Sequence, residues 1–592
     1  MDVVTYAEKE CIEIEHMGKE KPLIIQTDGS LLLEVDSPHF VRIRDELLKF
    51  AELMKSPEHM YTYRITNISL WNAASFGVTA EWILDFLRSN SKYKLPQNIT
   101  FQIRTNIERY GKVKLVREGD ALVLTAQDKL ILDEIMGFKS MQKYIRDRID
   151  DKRLSIDGSY RGNVKLELIY AGYPVEDLAG YVEGKPYPIA LCETTLAGLP
   201  FALREYQRES VELYHAGGGA HGGAGVIVLP CGAGKTIVGM AAMAAVKSET
   251  LIITTGITAC HQWKSEILDK TDIRAEDIGE YNGETKTIKP ITIATYKIIT
   301  YRKSKTDPFT HFDLFFKNKW GLIIYDEVHL LPAPVIRVTS EIQSTRRLGL
   351  TATLVREDGL EKDVFGLIGP KKFDVPWREL ESKAFIAEAM CYDIRVPLEG
   401  DVRMDYVAAT DKGKFRISSE HPAKYDVLRK LLDVLAGKNV LIIGQYIDQL
   451  EEIQKLFRFP LIMGKTPQSE RDELYAAFKK GDVKTLIVSK VANFAIDLPD
   501  ANGLIQVSGT FGSRQEEAQR LGRILRPKPG ENKSYFFSVI TSDSKEEEFA
   551  HKRQLFLTEQ GYYYEIIEGA EIDNISLAPK VDDADGTDTG SK

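Results

Sequence analysis

The sequence predicts an α/β protein in which two similar parallel-sheet units follow one another after a mixed N-terminal region. Short apolar segments alternate with helical stretches between residues 201 and 373, and the same alternation returns between residues 422 and 567. Residues that cap helices or bind phosphate follow several of these segments. This pattern is typical of a parallel sheet that is covered by helices on both faces.

Length and composition indicate a globular protein of several domains. The chain has 592 residues, a net charge of -9, 43% hydrophobic residues and 28% charged residues. It contains no apolar run near the roughly 20 residues of a spanning helix and no secretory signal, so we expect no membrane contact and a cytoplasmic location. The scattered cysteines contain no C-x-x-C pair and indicate buried thiols rather than disulfides or a metal site; they are Cys11, Cys192, Cys231, Cys260 and Cys391.

Residues 1–138 predict an α+β domain. The segments LIIQT and LLLEV meet across Asp28 and Gly29, which suit the tight turn of a hairpin. Helical patterns follow, with Thr79 as a cap and Pro96 as a start, and KVKLV and ALVLT then form a second hairpin. This order resembles a winged-helix module, which either binds nucleic acid or docks against the rest of the protein.

Composition divides the remaining chain. Residues 139–162 carry alternating charges and predict a surface helix followed by a linker, and residues 163–200 predict a small subdomain with strand character. Residues 201–395 and 396–567 form the two α/β units. Residues 568–592 are rich in Asp, Gly, Thr and Ser and predict a disordered acidic tail.

A phosphate-binding loop is indicated where the strand GVIVL leads into an apolar helix. Small residues there let the backbone amides approach phosphate groups. Lys235 would neutralise the β- and γ-phosphates of a nucleotide, and the Thr236 hydroxyl would bind Mg²⁺. Leu229 stands where the usual pattern has glycine. The loop consists of Leu229, Pro230, Cys231, Gly232, Ala233, Gly234, Lys235 and Thr236.

A pair of acids follows the strand GLIIY, about 90 residues after Lys235. Asp326 would bind Mg²⁺, and Glu327 would orient and deprotonate the attacking water. His329 follows on the same segment, and Thr351 and Thr353 end the next strand. We expect these three residues to couple hydrolysis to movement.

The second unit contributes a basic segment, QRLGRILR. On a helix, Gln519, Arg523 and Arg526 fall at i, i+4 and i+7 and share one face. That face can present two guanidinium groups to a γ-phosphate held by the first unit, as an arginine finger across a cleft. Hydrolysis would then open and close the cleft. The alternative is an ordinary surface helix with basic residues.

These motifs together resemble helicase superfamily 2, and LTATLVRED closely resembles the XPB repair helicases, whose Arg-Glu-Asp element would be Arg356, Glu357 and Asp358. The segment KRQLFLTEQGY is also similar to that family, and the N-terminal domain resembles the bacterial branch. The resemblance covers nearly everything between Pro22 and Ile567.

The resemblance implies a fold and an activity. The fold would be two tandem RecA-like parallel-sheet domains, preceded by an α+β winged-helix-like N-terminal domain and a small damage-recognition-like subdomain. The activity would be ATP-dependent 3′ to 5′ DNA helicase or translocase activity in DNA repair, with ATP and Mg²⁺ as cofactors. The partners would be single-stranded, forked or duplex DNA and a nuclease or repair protein, and we expect a monomer.

The resemblance also assigns site residues. Arg204 and Gln207 would contact the adenine, while Asp497 and Ser489 would belong to the coupling motif of the second domain, on the nucleotide and DNA sides respectively. The residues along the DNA path would be Thr255, Gln262 and Thr295, together with Arg356, Glu357 and Asp358.

The sequence departs from the family in two places. The segment ANFA at residues 492–495 replaces a stretch that commonly contains glycine. Residues 400–420 are too short for a long thumb insertion, which leaves a small basic loop around Lys412, Lys414 and Arg416.

Two other functions remain open from the motifs. An RNA helicase shares every ATPase residue. A nucleotide-gated platform would use its N-terminal domain to recruit partners, and hydrolysis would only reset the complex.

Overall fold

The computed structural model describes residues 21–575, except for the short ranges that end this paragraph. The expected acidic tail from residue 576 onward lies outside the described residues, and so do Arg356, Glu357, Asp358 and Asp497. The omitted ranges are 56–58, 76, 120, 179–183, 219–221, 305–306, 308, 313–314, 316–317, 334, 343, 354–360, 490–500 and 529–531.

The N-terminal region begins with an antiparallel sheet in the order β1-β2-β4-β3. The predicted first hairpin is confirmed: Leu23 lies opposite Leu33, and Gly29 has a φ of 85°, which glycine adopts without strain. The strands are Leu23–Ile25 (β1), Ser30–Glu34 (β2), Glu52–Lys55 (β3) and Met60–Arg64 (β4).

Four helices pack against this sheet around a common apolar core. Thr79 caps one of them as predicted, because its hydroxyl accepts a hydrogen bond from the Trp82 amide at 3.2 Å. The helix Phe40–Leu47 and strands β3 and β4 were not predicted. The helices are Phe40–Leu47, Asn67–Ser75, Ala80–Asn90 and Gln97–Arg109.

A five-stranded sheet follows, in the order β7-β8-β6-β5-β9. Its strands are Val113–Glu118 (β5), Ala121–Ala126 (β6), Ile145–Arg148 (β7), Arg153–Ile156 (β8) and Val175–Asp177 (β9), and its helices are Lys129–Gly137 and Arg161–Tyr170.

Two expectations for this region are wrong. Residues 139–162 form strands β7 and β8 instead of a surface helix and linker, because Leu154 and Ile156 alternate with polar residues and bury their side chains in the core beside the apolar residues of the neighbouring strand β6. The strand character expected after residue 163 is found only at β9, and the residues before it form a helix whose Val164 and Leu168, four residues apart, are both fully buried.

The first parallel sheet, which we call the first lobe, has the order β12-β13-β11-β14-β15-β10-β16. All strands predicted from sequence are present, and β12 and β16 extend the sheet at its edges. The strands are Ala224–Val228 (β10), Thr250–Thr254 (β11), Ile278–Tyr281 (β12), Ile291–Thr295 (β13), Trp320–Asp326 (β14), Ser344–Thr351 (β15) and Lys371–Asp374 (β16). The helices are Glu205–His215, Lys235–Val246, Ile257–Lys270, Tyr296–Ile299, Glu361–Leu367 and Trp377–Ser382.

The second parallel sheet, the second lobe, has the order β19-β20-β18-β21-β22-β17-β23. Its strands are Glu388–Val396 (β17), Val440–Ile443 (β18), Leu461–Ile462 (β19), Thr485–Val488 (β20), Gly503–Gln506 (β21), Lys533–Thr541 (β22) and Tyr564–Glu568 (β23). The helices are Gly400–Ala408, Asp411–Ser419, Lys424–Val434, Ile447–Phe457, Gln468–Lys480, Arg514–Leu521 and Lys545–Glu559.

Two further expectations change in the second lobe. Strand β17 pairs with β22 and β23, so this lobe includes residues before the expected boundary at 396. Residues 400–420 form two short helices rather than a small basic loop, with the Thr410 hydroxyl capping the second of them.

The lobes are in contact. One apolar cluster contains buried side chains of both sheets, and Trp377 packs edge-on against Phe556 and Tyr562 of the second lobe. The carboxyl ends of β10 and β14 therefore face a cleft whose other wall comes from the second lobe.

Within the described part of the chain, no helix combines the length and apolar character that a bilayer crossing requires.

Candidate functional site

The predicted phosphate-binding loop leaves β10 and enters the helix Lys235–Val246. Gly232 and Gly234 have φ values of 83° and 82°, a left-handed conformation that favours glycine. The loop thereby turns sharply and presents backbone amides at a helix N-terminus, where an anion is stabilised.

Lys235 and the two acids form a buried charged cluster at the ends of β10 and β14. The Lys235 amine lies 3.9 Å from Glu327 Oε1. Burial alone would lower the pKa of Lys235, but Cys231, Glu327 and Asp326 together raise it. A lysine that stays charged here is suited to binding phosphate oxygens.

The two acids differ in their environments. Burial and the adjacent Glu327 raise the pKa of Asp326, against a hydrogen bond from Trp263. Burial would also raise the pKa of Glu327, but Lys235, His329 and Arg523 lower it to about 2. Glu327 is thus ionised at neutral pH, as a group that accepts a proton from water must be.

Hard oxygen donors are the ligands that Mg²⁺ prefers. The Asp326 carboxylate, at the end of β14, supplies such oxygens, and Thr236 carries a hydroxyl in the first turn of the helix that follows the loop. The chemistry of these donors therefore fits Mg²⁺ bound together with nucleotide phosphates.

A chain of polar contacts connects Glu327 to the next strand. His329 Nδ1 lies 3.3 Å from Glu327 Oε2 and 3.0 Å from Thr351 Oγ1. The Thr351 hydroxyl donates to the Thr353 carbonyl oxygen at 2.8 Å. The three residues that we expected to couple hydrolysis to movement are therefore in contact with the second acid, directly or through one another.

The second lobe brings its basic segment to this cluster, but not as one helical face. The helix Arg514–Leu521 contains Gln519, which is buried, and ends before Arg523 and Arg526. The expectation that the three residues share one face of a helix is therefore wrong. The Arg523 and Ile524 amides bond to carbonyl oxygens three residues earlier, so the chain tightens and turns after Gly522.

This turn lies directly against the phosphate-binding loop. A Cβ atom placed on Gly522 would lie 2.2 Å from Cys231 Cβ, and one placed on Gly232 would lie 3.3 Å from the Arg526 amide nitrogen. The positive charge of Arg523 also acts to lower the pKa values of Lys235 and Glu327, although the nearby acids and Cys231 raise the pKa of Lys235 overall. The structure thus brings Lys235, Glu327 and Arg523 together across the cleft.

The two expected adenine contacts lie beside the loop and bond within the protein. The Gln207 amide donates to the Ala233 carbonyl oxygen at 3.0 Å. Arg204 donates to the Phe385 carbonyl oxygen at 2.8 Å, and its guanidinium lies over the Phe385 ring. Gln207 therefore contacts the phosphate-binding loop directly, and Arg204 contacts Phe385, which lies three residues before β17.

The expected DNA-path residues of the first lobe follow β11 and β13. Thr255 succeeds β11, Gln262 lies on the helix Ile257–Lys270, and Thr295 ends β13. The Thr295 hydroxyl caps the next helix by accepting from the Ile298 amide at 3.2 Å. In the second lobe, Ser489 follows β20 and is buried.

Sequence reasoning missed the residues that bond to Asp326, among which Trp263 and Tyr296 make the shortest contacts. The Trp263 indole nitrogen donates to Asp326 Oδ2 at 3.0 Å, and the Tyr296 hydroxyl donates to the Asp326 carbonyl oxygen at 3.0 Å. Both are large buried residues in apolar surroundings, and nothing in their local sequence distinguishes them from ordinary core residues.

Comparison with curated proteins identifies the family. The chain is 46% identical to the "DNA 3'-5' helicase XPB" of Kineococcus radiotolerans, over 95% of this chain and 99% of that protein. The chain belongs to the XPB helicase family. A Mycobacterium tuberculosis XPB helicase is 48% identical over 92% of this chain and 97% of its own length. The XPB subunit of the "General transcription and DNA repair factor IIH" of Enterocytozoon bieneusi is 32% identical over 93% of each chain.

Family models match three parts of this XPB-family chain. The "ERCC3/RAD25/XPB C-terminal helicase" model matches residues 380–582. The "Type III restriction enzyme, res subunit" model matches residues 200–356, which include Lys235 and both acids. The "Helicase conserved C-terminal domain" model matches residues 23–150 at the other end of the chain. The first two matches fall on the two parallel-sheet lobes and agree with the predicted fold class of two helicase domains, whereas the third falls on the N-terminal region.

Proposed function

We propose that this chain hydrolyses ATP with Mg²⁺, moves along DNA in the 3′ to 5′ direction and acts in DNA repair. The observation that carries the proposal is the contact between the phosphate-binding loop and the turn that follows Gly522. It makes one pocket from both lobes, so that nucleotide state can control how the lobes are arranged. The names of the relatives support DNA as the substrate and DNA repair as the process.

Each residue of the pocket has a proposed task. Lys235 and the loop amides hold the phosphates, and Glu327 accepts a proton from the attacking water. Thr236 and Asp326 would hold Mg²⁺, which neutralises negative charge on the phosphates when bound. Arg523 and Arg526 stabilise the charge that develops on the γ-phosphate, with Gln519 supporting the turn.

The DNA path is proposed from the family resemblance. Thr255, Gln262 and Thr295 would lie along the strand in the first lobe, and Ser489 in the second. Arg356, Glu357 and Asp358 would act in strand separation, and Asp497 would connect the nucleotide to Ser489. Arg204 and Gln207 would contact the adenine, although both now bond within the protein.

The wider organisation is also a proposal. We infer an N-terminal XPB-type domain, a small damage-recognition-like domain, and two helicase domains whose boundary lies before β17. We place the chain in the cytoplasm as a monomer that works with a nuclease or another repair protein, as expected of a bacterial DNA helicase.

The experiment that tests the proposed function measures ATP hydrolysis with single-stranded DNA, forked DNA, duplex DNA and RNA of matched length. We expect DNA to stimulate hydrolysis and RNA to have little effect. Strand displacement should require a 3′ single-stranded tail next to the duplex. Equal stimulation by RNA would identify an RNA helicase, and DNA-stimulated hydrolysis without displacement of strands or bound proteins would indicate a nucleotide-gated platform.

A further inference from the structure

The Asp326 side chain and backbone accept hydrogen bonds from three residues on three different segments of the first lobe. Trp263 donates to Asp326 Oδ2 at 3.0 Å from the helix Ile257–Lys270. The Thr254 hydroxyl, at the end of β11, donates to the same oxygen at 3.4 Å. Tyr296, at the start of the helix after β13, donates to the Asp326 carbonyl oxygen at 3.0 Å.

These three donors are buried and closely packed. Trp263 is 2% exposed, Thr254 is fully buried and Tyr296 is 3% exposed. The Trp263 ring also fills the space above Gly239 in the helix Lys235–Val246, where an added Cβ atom would lie 2.5 Å from the ring. Trp263 therefore cannot move without disturbing Asp326, the helix that begins with Lys235, or both.

Each donor is the immediate sequence neighbour of a residue that the proposed function places on the DNA path. Thr254 precedes Thr255, Trp263 follows Gln262, and Tyr296 follows Thr295. The two members of each pair share a backbone segment; Thr255 and Gln262 are more exposed than their neighbours Thr254 and Trp263, whereas Thr295 is buried like Tyr296. One side chain bonds to the nucleotide-side acid, and its neighbour belongs to the proposed DNA face.

We propose that Trp263, Thr254 and Tyr296 are positioning residues that transmit DNA occupancy to Asp326, and thereby to the nucleotide site. This inference rests on the proposed function. A DNA strand that binds Thr255, Gln262 and Thr295 fixes the three segments relative to β14, which fixes the Asp326 carboxylate for binding the metal and nucleotide. Without DNA, a shift of about 0.6 Å in one segment is enough to break a 3.0 Å hydrogen bond.

The chain offers a matched pair of tryptophans for the test. Trp320 is also buried in the first lobe, and its indole nitrogen donates at 3.0 Å to the Phe315 carbonyl oxygen instead of to Asp326. Trp263→Phe and Trp320→Phe therefore each remove one buried indole hydrogen bond and a similar volume of side chain. Only the first of the two removes a hydrogen bond to Asp326.

The experiment measures binding rather than turnover. The dissociation constant of a fluorescent, non-hydrolysable ATP analogue is determined in Mg²⁺, with and without a saturating single-stranded oligonucleotide. The ratio of the two constants reports the coupling between the DNA and nucleotide sites, which typically amounts to about 5-fold to 150-fold. We expect Trp263→Phe to reduce this ratio towards one and Trp320→Phe to leave it as in the unmodified protein.

A full ratio in Trp263→Phe would overturn the inference, even if that variant bound the analogue more weakly overall. Should Trp263→Phe not fold, Tyr296→Phe removes a single oxygen atom and must show the same loss of coupling. Failure of the proposed function is a different result, because ATP hydrolysis by the unmodified protein would then be indifferent to DNA.

Discussion

At the end of β14, the Glu327 backbone adopts a left-handed conformation with a φ of 52°. Such a conformation costs a residue with a side chain about 1–3 kcal/mol and is found where the surrounding structure imposes it, often at functional sites. Here it turns the chain directly after Asp326, so that the side chains of the two consecutive acids contact different residues. Asp326 faces Trp263, and Glu327 faces Lys235 and His329.

Glu327→Gln should separate ATP binding from hydrolysis. The amide keeps the shape of the side chain but cannot accept a proton from water, so we expect hydrolysis to fall by about 10²–10⁴-fold while ATP still binds. Single-turnover hydrolysis and nucleotide binding would be measured. Glu284→Gln, on an exposed loop, is the control. Fast hydrolysis by Glu327→Gln would show that another group is the base.

Single residues differed in how far the sequence could predict them. Lys235, Asp326 and Glu327 were predicted because each combines a chemical type with a fixed place after a strand. Trp263 and Tyr296 were not, because their function comes from tertiary contacts with Asp326 that no local pattern encodes.

At the scale of elements, apolar strands were predicted well and charged ones poorly. Central strands of both parallel sheets, such as β11 and β18, are buried on both faces and read as continuous apolar runs. Strands β7 and β8 are short and charged, and only the pairing with β6 makes them strands. The helix Arg514–Leu521 ends earlier than its sequence indicates, and the tight turn that follows places Gly522 against Cys231 of the other lobe.

Gly522→Ala should weaken closure of the lobes without unfolding the protein. Gly522 has a right-handed φ of -56°, which alanine adopts freely, but the added methyl group would lie 2.2 Å from Cys231 Cβ. A displacement of about 1 Å at the pocket can lower turnover on the order of 100-fold. We therefore expect ATP hydrolysis to fall by about that factor and the melting temperature to change little.

The matched control is Gly137→Ala, because no heavy atom lies within 4 Å of the added methyl group. Gly137 ends the helix Lys129–Gly137 in the N-terminal region, far from the cleft in sequence. If Gly522→Ala hydrolysed ATP at the normal rate, the close contact between the lobes would not be needed for hydrolysis.

Two adjacent lysines on β16 should have opposite effects on stability. Burial lowers the pKa of Lys372 to about 8. At neutral pH this lysine is charged, and the cost of burying its charge opposes folding. Burial alone would also lower the pKa of Lys371, but Asp374, 2.8 Å away, raises it. At pH 7, Lys372→Met should therefore stabilise the protein by about 1–3 kcal/mol, and Lys371→Met should destabilise it.

The effect of Lys372→Met on stability should itself depend on pH. The gain from Lys372→Met should be complete below pH 8 and disappear above about pH 10.4, where the unfolded lysine is also neutral. Urea unfolding at pH 7 and pH 10 measures both variants. A lower stability of Lys372→Met at pH 7 would show that its contacts outweigh the desolvation of its charge.

At the scale of the whole molecule, two parallel-sheet lobes form one pocket from parts that neither lobe has alone. The first contributes Lys235 and both acids, and the second contributes the turn with Arg523 and Arg526. The sequence predicted both lobes and the sharing of the site between them. It could not predict the five-stranded sheet or the boundary before β17, because both depend on pairing between distant segments.

The rate of ATP hydrolysis by Arg523→Ala is the most direct test of the claim that the pocket needs residues from both lobes. Arg429→Ala, which removes an exposed side chain on the helix Lys424–Val434 of the second lobe, controls for loss of a surface charge. We predict that Arg523→Ala binds an ATP analogue nearly as well as the unmodified protein but hydrolyses ATP about 10³-fold more slowly in the presence of DNA. Hydrolysis at the normal rate would contradict the account, since the first lobe would then be a sufficient catalyst by itself.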